Sequence, residues 1–256
     1  MKTGDRHGRK TLTVIILTKN ESGRIGDCLA SAQGADEILV VDDESQDDTV
    51  DLARAAGARV VIRSLDSFAG QRNAAQAQAG GDWIFHLDAD ERLAQGLMEG
   101  LRRHMAFWPD AAGRVKRHSF AFGRRHRFGP LKPDWVTRLF PRGLVRWEKL
   151  VHERPIFGGP VRTLPGRLTH LTYTDWAQYD AKMARYAALW AADAAACGRR
   201  AGELTAWLRA GAAFLKTFGL NLGILGGPTT WALCRRHAGY TLAKYRNLAG
   251  HYTRQP

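Results

Sequence analysis

Four short apolar runs, Leu12–Leu17, Glu37–Val41, Arg59–Ile62 and Trp83–Leu87, each give way abruptly to polar residues. Between them lie three stretches with helical patterning, Gly23–Ala32, Asp48–Ala56 and Gly70–Ala79. Runs of Val, Ile and Leu without polar alternation are what strands buried on both faces require, and strands that alternate with helices form parallel sheets through crossover connections. The second helix has punctuation at both ends, Ser45, Asp47 and Asp48 as N-cap residues and Gly57 as a stop. The pattern predicts an α/β chain with a mostly parallel sheet flanked by helices. In such sheets ligands bind beyond the carboxyl ends of the strands, so the residues that follow each apolar run deserve the closest reading.

Those residues are Thr18, Lys19, Asn20 and Glu21 after the first run, Asp42, Asp43, Glu44 and Ser45 after the second, and Asp88, Ala89, Asp90 and Glu91 after the fourth. Acidic side chains gathered at one sheet edge repel one another unless a cation or hydrogen-bond donors stand among them, which marks the edge as a candidate site. Asp88 and Asp90, one residue apart in a loop, are a pair that can bind Mg²⁺ or Mn²⁺ while the oxygens of a substrate diphosphate take the open positions of the ion.

The 256 residues suffice for one sizeable α/β domain and an appendage. From Arg114 onward the pattern turns to short strands and turns punctuated by Gly123, Gly129, Pro130, Pro133, Pro141 and Gly143. Helical patterning returns at Trp176–Cys197 and at Glu203–Phe218, where Leu204, Trp207, Leu208, Phe214, Leu215 and Phe218 form an apolar stripe. The uncharged run Thr217–Cys234 is too rich in glycine for a membrane span and reads as a surface-lying or re-entrant segment. The expected organisation is a domain over 10–170, with halves 10–95 for the donor and 96–170 for the acceptor, then a helical, amphipathic region over 171–256.

The net charge of +13 is unevenly spread, at −6 over residues 1–100, +12 over 101–170 and +7 thereafter. A basic part beside an acidic one points to a polyanionic partner: a phosphorylated glycolipid, an anionic membrane surface or nucleic acid. Cys28, Cys197 and Cys234 stand far apart and suggest neither disulfides nor a thiolate zinc site, which fits a reducing cytoplasm. Leu12–Leu17 is too short for the core of a signal peptide. Neither the dinucleotide-binding G-x-G-x-x-G nor a P-loop is present, and no two histidines have the H-x-x-x-H spacing of a zinc helix. A D-x-D phosphatase would use the first aspartate as nucleophile, but that leaves the cluster after the second run without a purpose. A non-catalytic nucleic-acid or membrane module could use Lys116, Arg117, Arg124, Arg125 and Arg127 with Phe120, Phe122 and Phe128. The same residues suit an anionic glycolipid, and nucleic acid is not the expected partner.

The segments TVIILTKNE, ILVVDDESQDDTVDLA and GDWIFHLDADE resemble the N-terminal half of family 2 glycosyltransferases over about Thr11–Leu93. With FAGQRNAA, PDWVTRLF and VHERP, the chain is similar to the branch that includes lipopolysaccharide core β-1,4-glucosyltransferases. The resemblance implies a GT-A fold in which Thr18 and Glu21 line the nucleotide pocket, Asp42 contacts uracil with Asp43 assisting, and Gln71, Arg72 and Asn73 lie near the nucleotide and its diphosphate. It implies Asp88 at the donor, Asp88 and Asp90 at the metal, and inverting transfer of a hexose, glucose as first expectation, from a UDP-sugar to a heptose or similar sugar of a lipopolysaccharide core, at the inner face of the inner membrane. Such a reaction needs one general base, and Asp134 and Glu153 in the aromatic, basic region are the candidates. Processive relatives carry Q-x-x-R-W, whereas Gly143 stands at the glutamine position before Arg146 and Trp147, which implies transfer of a single residue.

Overall fold

The first four strands are β1 (Leu12–Thr18), β2 (Glu37–Asp42), β3 (Arg59–Ile62) and β4 (Trp83–Asp88), in a computed structural model that describes residues 9–148 and 154–253. They lie in the order β3-β2-β1-β4 and pair in parallel. Helices α1 (Ser22–Ser31), α2 (Thr49–Ala55) and α3 (Phe68–Gln78) make the crossovers. Both faces of this half-sheet are covered, which explains the unbroken apolar runs. Leu12, Val14 and Ile16 pack with Ile25, Cys28 and Leu29 of α1, while Ile15, Leu39, Val41 and Ile84 pack with Ala75 and Ala79 at α3. Register sets the strand ends level: Thr18 lies opposite Asp42 and Leu17 opposite Asp88, so the three polar clusters leave the sheet side by side.

Beyond β4 the sheet turns antiparallel. It continues through β5 (Glu91–Leu93), β6 (Ala112–Ala121), β7 (Arg124–Arg125), β8 (Asp134–Pro141) and β11 (Val161–Tyr173), while β9 (Val145–Glu148) and β10 (Arg154–Phe157) form a separate hairpin. The order from β4 outward is β8-β6-β11-β5, with β7 on β6, and α4 (Leu97–Phe107) follows β5. Antiparallel pairing of β5 with β11 sets His170 opposite Glu91. The α/β class, the parallel pairing of the first four strands and the helical C-terminal region agree with the sequence reading.

Two compact units divide the chain: Met1–Arg117 with Asp134–His170, and His118–Pro133 with Leu171–Pro256. In the second, α5 (Trp176–Ala196) and α6 (Glu203–Leu215) pack on α7 (Gly227–Thr253), with Ala191, Ala194 and Leu248 at the centre of one cluster. Asp175 caps α5, its carboxylate accepting the Gln178 N–H at 2.8 Å. The run Thr217–Cys234 divides into a π turn (Lys216–Leu220), a 3₁₀ turn (Gly223–Gly226) and the first turns of α7. Glycine is required in this turn, since a Cβ on Gly223 would stand 2.5 Å from the Thr217 carbonyl oxygen and one on Gly226 2.4 Å from Thr230 Oγ1. Among the described residues, no helix is long and apolar enough to cross a membrane.

Candidate active site

The loops after β1 and β2 are built as one piece. Asn20 and Glu44 both adopt left-handed backbone conformations (φ 52° and 54°), and the Asn20 and Glu21 amides donate to Ser45 Oγ at 2.7 Å and Thr49 Oγ1 at 2.8 Å. Asp42 is fully buried and accepts the Ser45 N–H at 2.8 Å and the Ser45 hydroxyl at 2.5 Å. Asp43 accepts from Lys19 Nζ at 2.7 Å and from the Leu65 N–H at 2.8 Å, tying the exits of β1 and β3 to its own. Glu21 stands at the mouth of α1, 3.6 Å from Arg24. The Thr18 hydroxyl is buried at the strand end with no hydrogen-bond partner among the described residues. An orphaned buried hydroxyl is costly to keep, and a ligand hydrogen bond at that point would repay it.

A different chemistry holds the third cluster. The Asp88 carboxylate, 30% exposed, accepts from Arg72 Nη2 at 2.7 Å through one oxygen and from Arg138 Nη2 at 2.6 Å through the other. Arg138 Nη2 also lies 3.1 Å from fully buried Glu91, which faces Arg117 Nη1 at 3.2 Å. Arg117 in turn forms a bidentate pair with Asp134 at 3.0 and 2.8 Å. Acids and guanidiniums thus alternate from Arg72 to Asp134. Burial alone would raise the Asp88 pKa, but the charges of Arg138 and Arg72 outweigh it and hold the carboxyl well below its usual range. Beneath it Cys28 Sγ lies 3.6 Å from the Asp88 carbonyl oxygen, and burial pushes that thiol up to about 12, which leaves it inert.

Asp90, the second acid expected at a metal, meets a histidine. His170, delivered by the β5–β11 pairing from eighty positions along the chain, sets its Nε2 3.2 Å from Asp90 Oδ2. Two ligands at right angles on an ion with bonds of about 2.1 Å stand about 3 Å apart, so the pair has the spacing of neighbouring ligands on one divalent cation. Among the described residues no three His, Cys, Asp or Glu side chains gather as a metal cage. Asp88, two residues before Asp90, has both carboxylate oxygens held by guanidiniums.

The remaining expected residues occupy distinct positions. Gln71 is turned to Arg63, donating to its carbonyl oxygen at 2.9 Å and accepting from its guanidinium at 3.1 Å. Asn73 clamps the backbone of Trp147 with two hydrogen bonds of 2.9 Å, and the Trp147 ring lies under the Arg72 guanidinium at 4.8 Å. The indole N–H of Trp147 donates to His86 Nε2 at 3.3 Å, and burial, followed by the charges of Arg72 and Arg138, keeps His86 neutral. Asp134 is 47% exposed at the start of β8, while Glu153 lies outside the described residues. Sequence reasoning placed Glu91 in the acidic cluster but missed His170, Arg138 and Arg117 as members of this site. His170 had one signal available, the run Leu168–Tyr173, whose two threonines and tyrosine are residues favoured in strands.

The profile of glycosyl transferase family 2 matches residues 13–157, which contain every residue of this site except His170. A lipopolysaccharide core biosynthesis glycosyltransferase (LpsC) of Rhizobium meliloti (strain 1021) is 32% identical over 168 residues, 62% of each chain. An uncharacterized glycosyltransferase of Rickettsia prowazekii (strain Madrid E) is 41% identical over 91 residues, which span 35% of this chain and 31% of that one. Among solved structures, glucosyl-3-phosphoglycerate synthase of Mycobacterium tuberculosis matches with a TM-score of 0.36 and 23% identity, over 44% of this chain and 45% of that one. Mannosyl-3-phosphoglycerate synthase of Rubrobacter xylanophilus matches with a TM-score of 0.38 and 22% identity, over 44% and 41%. The chain spans about a third of the length of the Rickettsia relatives that it matches and 62% of the Rhizobium one. With more than half its length matched by the profile, it belongs to glycosyl transferase family 2.

Proposed function

We propose that this enzyme moves one hexose, glucose in the first instance, from a UDP-sugar to a sugar hydroxyl of a lipopolysaccharide core or similar anionic glycolipid, with inversion and with a divalent cation. The observation that carries the reading is the Asp90–His170 pair beside the arginine-held Asp88, at the strand ends where a nucleotide would lie. Mg²⁺ or Mn²⁺ would be held by Asp90 and His170 with Asp88 alongside, and would supply charge to stabilise the departing diphosphate. Asp42 and the Thr18 hydroxyl offer an acceptor and a donor for the uracil ring and ribose, with Glu21 and Asp43 fixing the loops that carry them. Arg72 and Arg138 place two guanidiniums where negative charge develops on the leaving group. The acceptor hydroxyl attacks the anomeric carbon, the bond from that carbon to the diphosphate oxygen breaks with its electrons going to the diphosphate, and the hydroxyl proton passes to a carboxylate. We assign that role to Asp134, whose pairing with Arg117 leaves lone pairs for an incoming hydroxyl, with Glu153 as the alternative. The named activity of the 32% identical LpsC relative supports a lipopolysaccharide acceptor, and the basic charge of the acceptor half supports an anionic one, carried on the inner face of the membrane.

The test is UDP binding with and without Mn²⁺, followed by hydrolysis of a panel of UDP-sugars. Binding should strengthen by at least about tenfold with the metal, and Asp90→Ala should abolish that gain. Asp134→Asn should lower kcat by a factor of about 10²–10⁴ with UDP affinity unchanged. Metal-independent binding would sink the cation-assisted reading, and full activity in Asp134→Asn would move the base to Glu153.

A further inference from the structure

Among the described residues, nine of the twenty exposed large hydrophobic ones fall between Leu204 and Trp231, in the second unit. The densest part is the turn from α6 to α7 and the helix ends beside it, where Leu215, Leu220, Leu222, Ile224, Leu225 and Trp231 are all exposed, Leu220 by 83% and Leu225 by 64%. A turn in water is ordinarily polar, and a contiguous apolar patch marks a contact surface. This turn is also built to keep its shape. The Trp231 indole N–H donates to the Ile224 carbonyl oxygen at 2.9 Å, the Gly129 N–H donates to the Asn221 carbonyl oxygen at 3.0 Å, and Gly223 and Gly226 lie too close to their neighbours for any side chain.

Charge identifies what covers it. From Thr217 to Cys234 there is no ionisable side chain apart from the Cys234 thiol, which is buried, while exposed Lys216 and Arg235 bound the segment on either side. Arg124 reaches the Gly226 carbonyl oxygen at 3.3 Å, and exposed Arg127 and Lys132 flank the Gly129–Leu131 turn that packs on this one. The whole unit holds fifteen Lys and Arg against four Asp and Glu. A second copy would bring like charges together around the patch, whereas an anionic lipid surface neutralises them and receives the apolar tips. We propose that the α6–α7 turn is a membrane-docking wedge, with Leu220, Leu222, Ile224 and Leu225 entering the acyl boundary of an anionic bilayer and a collar of Lys216, Arg124, Arg127 and Arg235 at the headgroups. Trp231 stands at the base of the wedge, where an indole suits the interface. The wedge deepens the reading of a membrane-borne acceptor, on which its purpose rests.

The experiment is co-sedimentation of the full chain with vesicles of phosphatidylcholine alone or with roughly one-third phosphatidylglycerol, without donor or acceptor. Binding should require the anionic lipid and weaken between about 0.1 M and about 0.5 M salt. Leu220→Asp with Leu225→Asp should lower partitioning at least about tenfold, and the milder Leu220→Ser with Leu225→Ser should lower it several-fold with the far-UV spectrum and Tm of the parent. Lys216→Ala with Arg235→Ala should weaken binding and flatten its salt dependence. The wedge is overturned if the Leu220/Leu225 variants sediment like the parent, or if the parent ignores vesicles and forms dimers that these variants dissociate. UDP-sugar hydrolysis in lipid-free buffer keeps the two ideas apart. An enzyme that hydrolyses donor but ignores vesicles loses only the wedge, and one that binds vesicles but never touches a UDP-sugar loses only the transferase substrate.

Discussion

The loop after β2 and the loop after β4 both present adjacent or alternate carboxylates at one sheet edge, yet opposite kinds of partner hold them. Asp42 is fixed by a neutral hydroxyl and a backbone amide of its own loop, three residues away. Asp88 is fixed by two guanidiniums brought from α3 and β8, sixteen and fifty positions away. Neutral donors position a carboxylate but leave its charge in place, and a rigid loop of that kind suits reading the edge of an uncharged base. Guanidiniums cancel the charge, and they leave a cluster whose cations can turn to a diphosphate when it arrives. Identical side chains therefore serve different ends because the fold supplies different neighbours.

The largest effect should come from taking a guanidinium from the second loop. Arg138→Ala leaves Asp88 with one partner and deprives Glu91 of one of its two cations. Removing one member of a buried charge pair costs about 3–5 kcal/mol, and the exposure of Asp88 places this case at about 3 kcal/mol. Thermal denaturation should register that loss, and, if Arg138 serves the leaving group as proposed, kcat/KM for transfer should fall by a factor of about 10²–10³. Arg138→Lys should recover part of the stability but little of the rate, because an ammonium cannot reproduce the planar fork. A variant that melts like the parent would show that Asp88 does not depend on its arginines, and the contrast between the loops would collapse.

A smaller effect is expected at the first loop. Asp42→Asn keeps the size of the side chain and removes its charge, and the two bonds from Ser45 weaken rather than vanish. Stability should drop by about 1–2 kcal/mol, and, on the proposal that this loop binds the donor away from the bond that breaks, the Kd for UDP should rise about tenfold with kcat little changed. Equal losses in kcat and UDP affinity would mean that the first loop also takes part in the transition state, and the division of labour would need redrawing.

The parallel half of the fold was legible because each of its strands is buried on both faces and says so in Val, Ile and Leu. The first turn of polar residues after each strand was legible for the same reason. Helix α4 went unread although Leu97, Leu101 and Met105 recur at helical spacing, because Arg102, Arg103 and His104 interrupt the apolar face as seen in the sequence. The long strand β11 was hidden by Pro165 and Gly166, which read as a turn and are instead absorbed inside the strand, Gly166 at φ 89°. With β11 unread, His170 had no route to Asp90. Arg72 was expected at the diphosphate, but Arg117 and Arg138 were not placed with these acids, since a sequence pattern reports how many cations there are and the pairing of β6 with β8 decides which carboxylate each one meets.

The smallest predicted effect tests how Arg72 is kept on Asp88. Asn73 spends both ends of its amide on the Trp147 backbone, and the Trp147 ring lies under the Arg72 guanidinium. This makes Asn73 a positioning residue that acts on the acidic cluster through an aromatic ring. Asn73→Ala removes two hydrogen bonds from a partly buried backbone, for a loss of about 1–2 kcal/mol, and frees the hairpin of β9 and β10 to shift. Because the arginine retains its ion pair, kcat should fall only several-fold, with UDP affinity within about twofold of the parent. Trp147→Phe keeps an apolar ring under Arg72 but loses the bond to His86, and should fall between the parent and Asn73→Ala in rate. If Asn73→Ala instead weakens UDP binding as strongly as Asp42→Asn does, the amide touches the donor itself, and Arg72 is held by Asp88 without help from α3's other contacts.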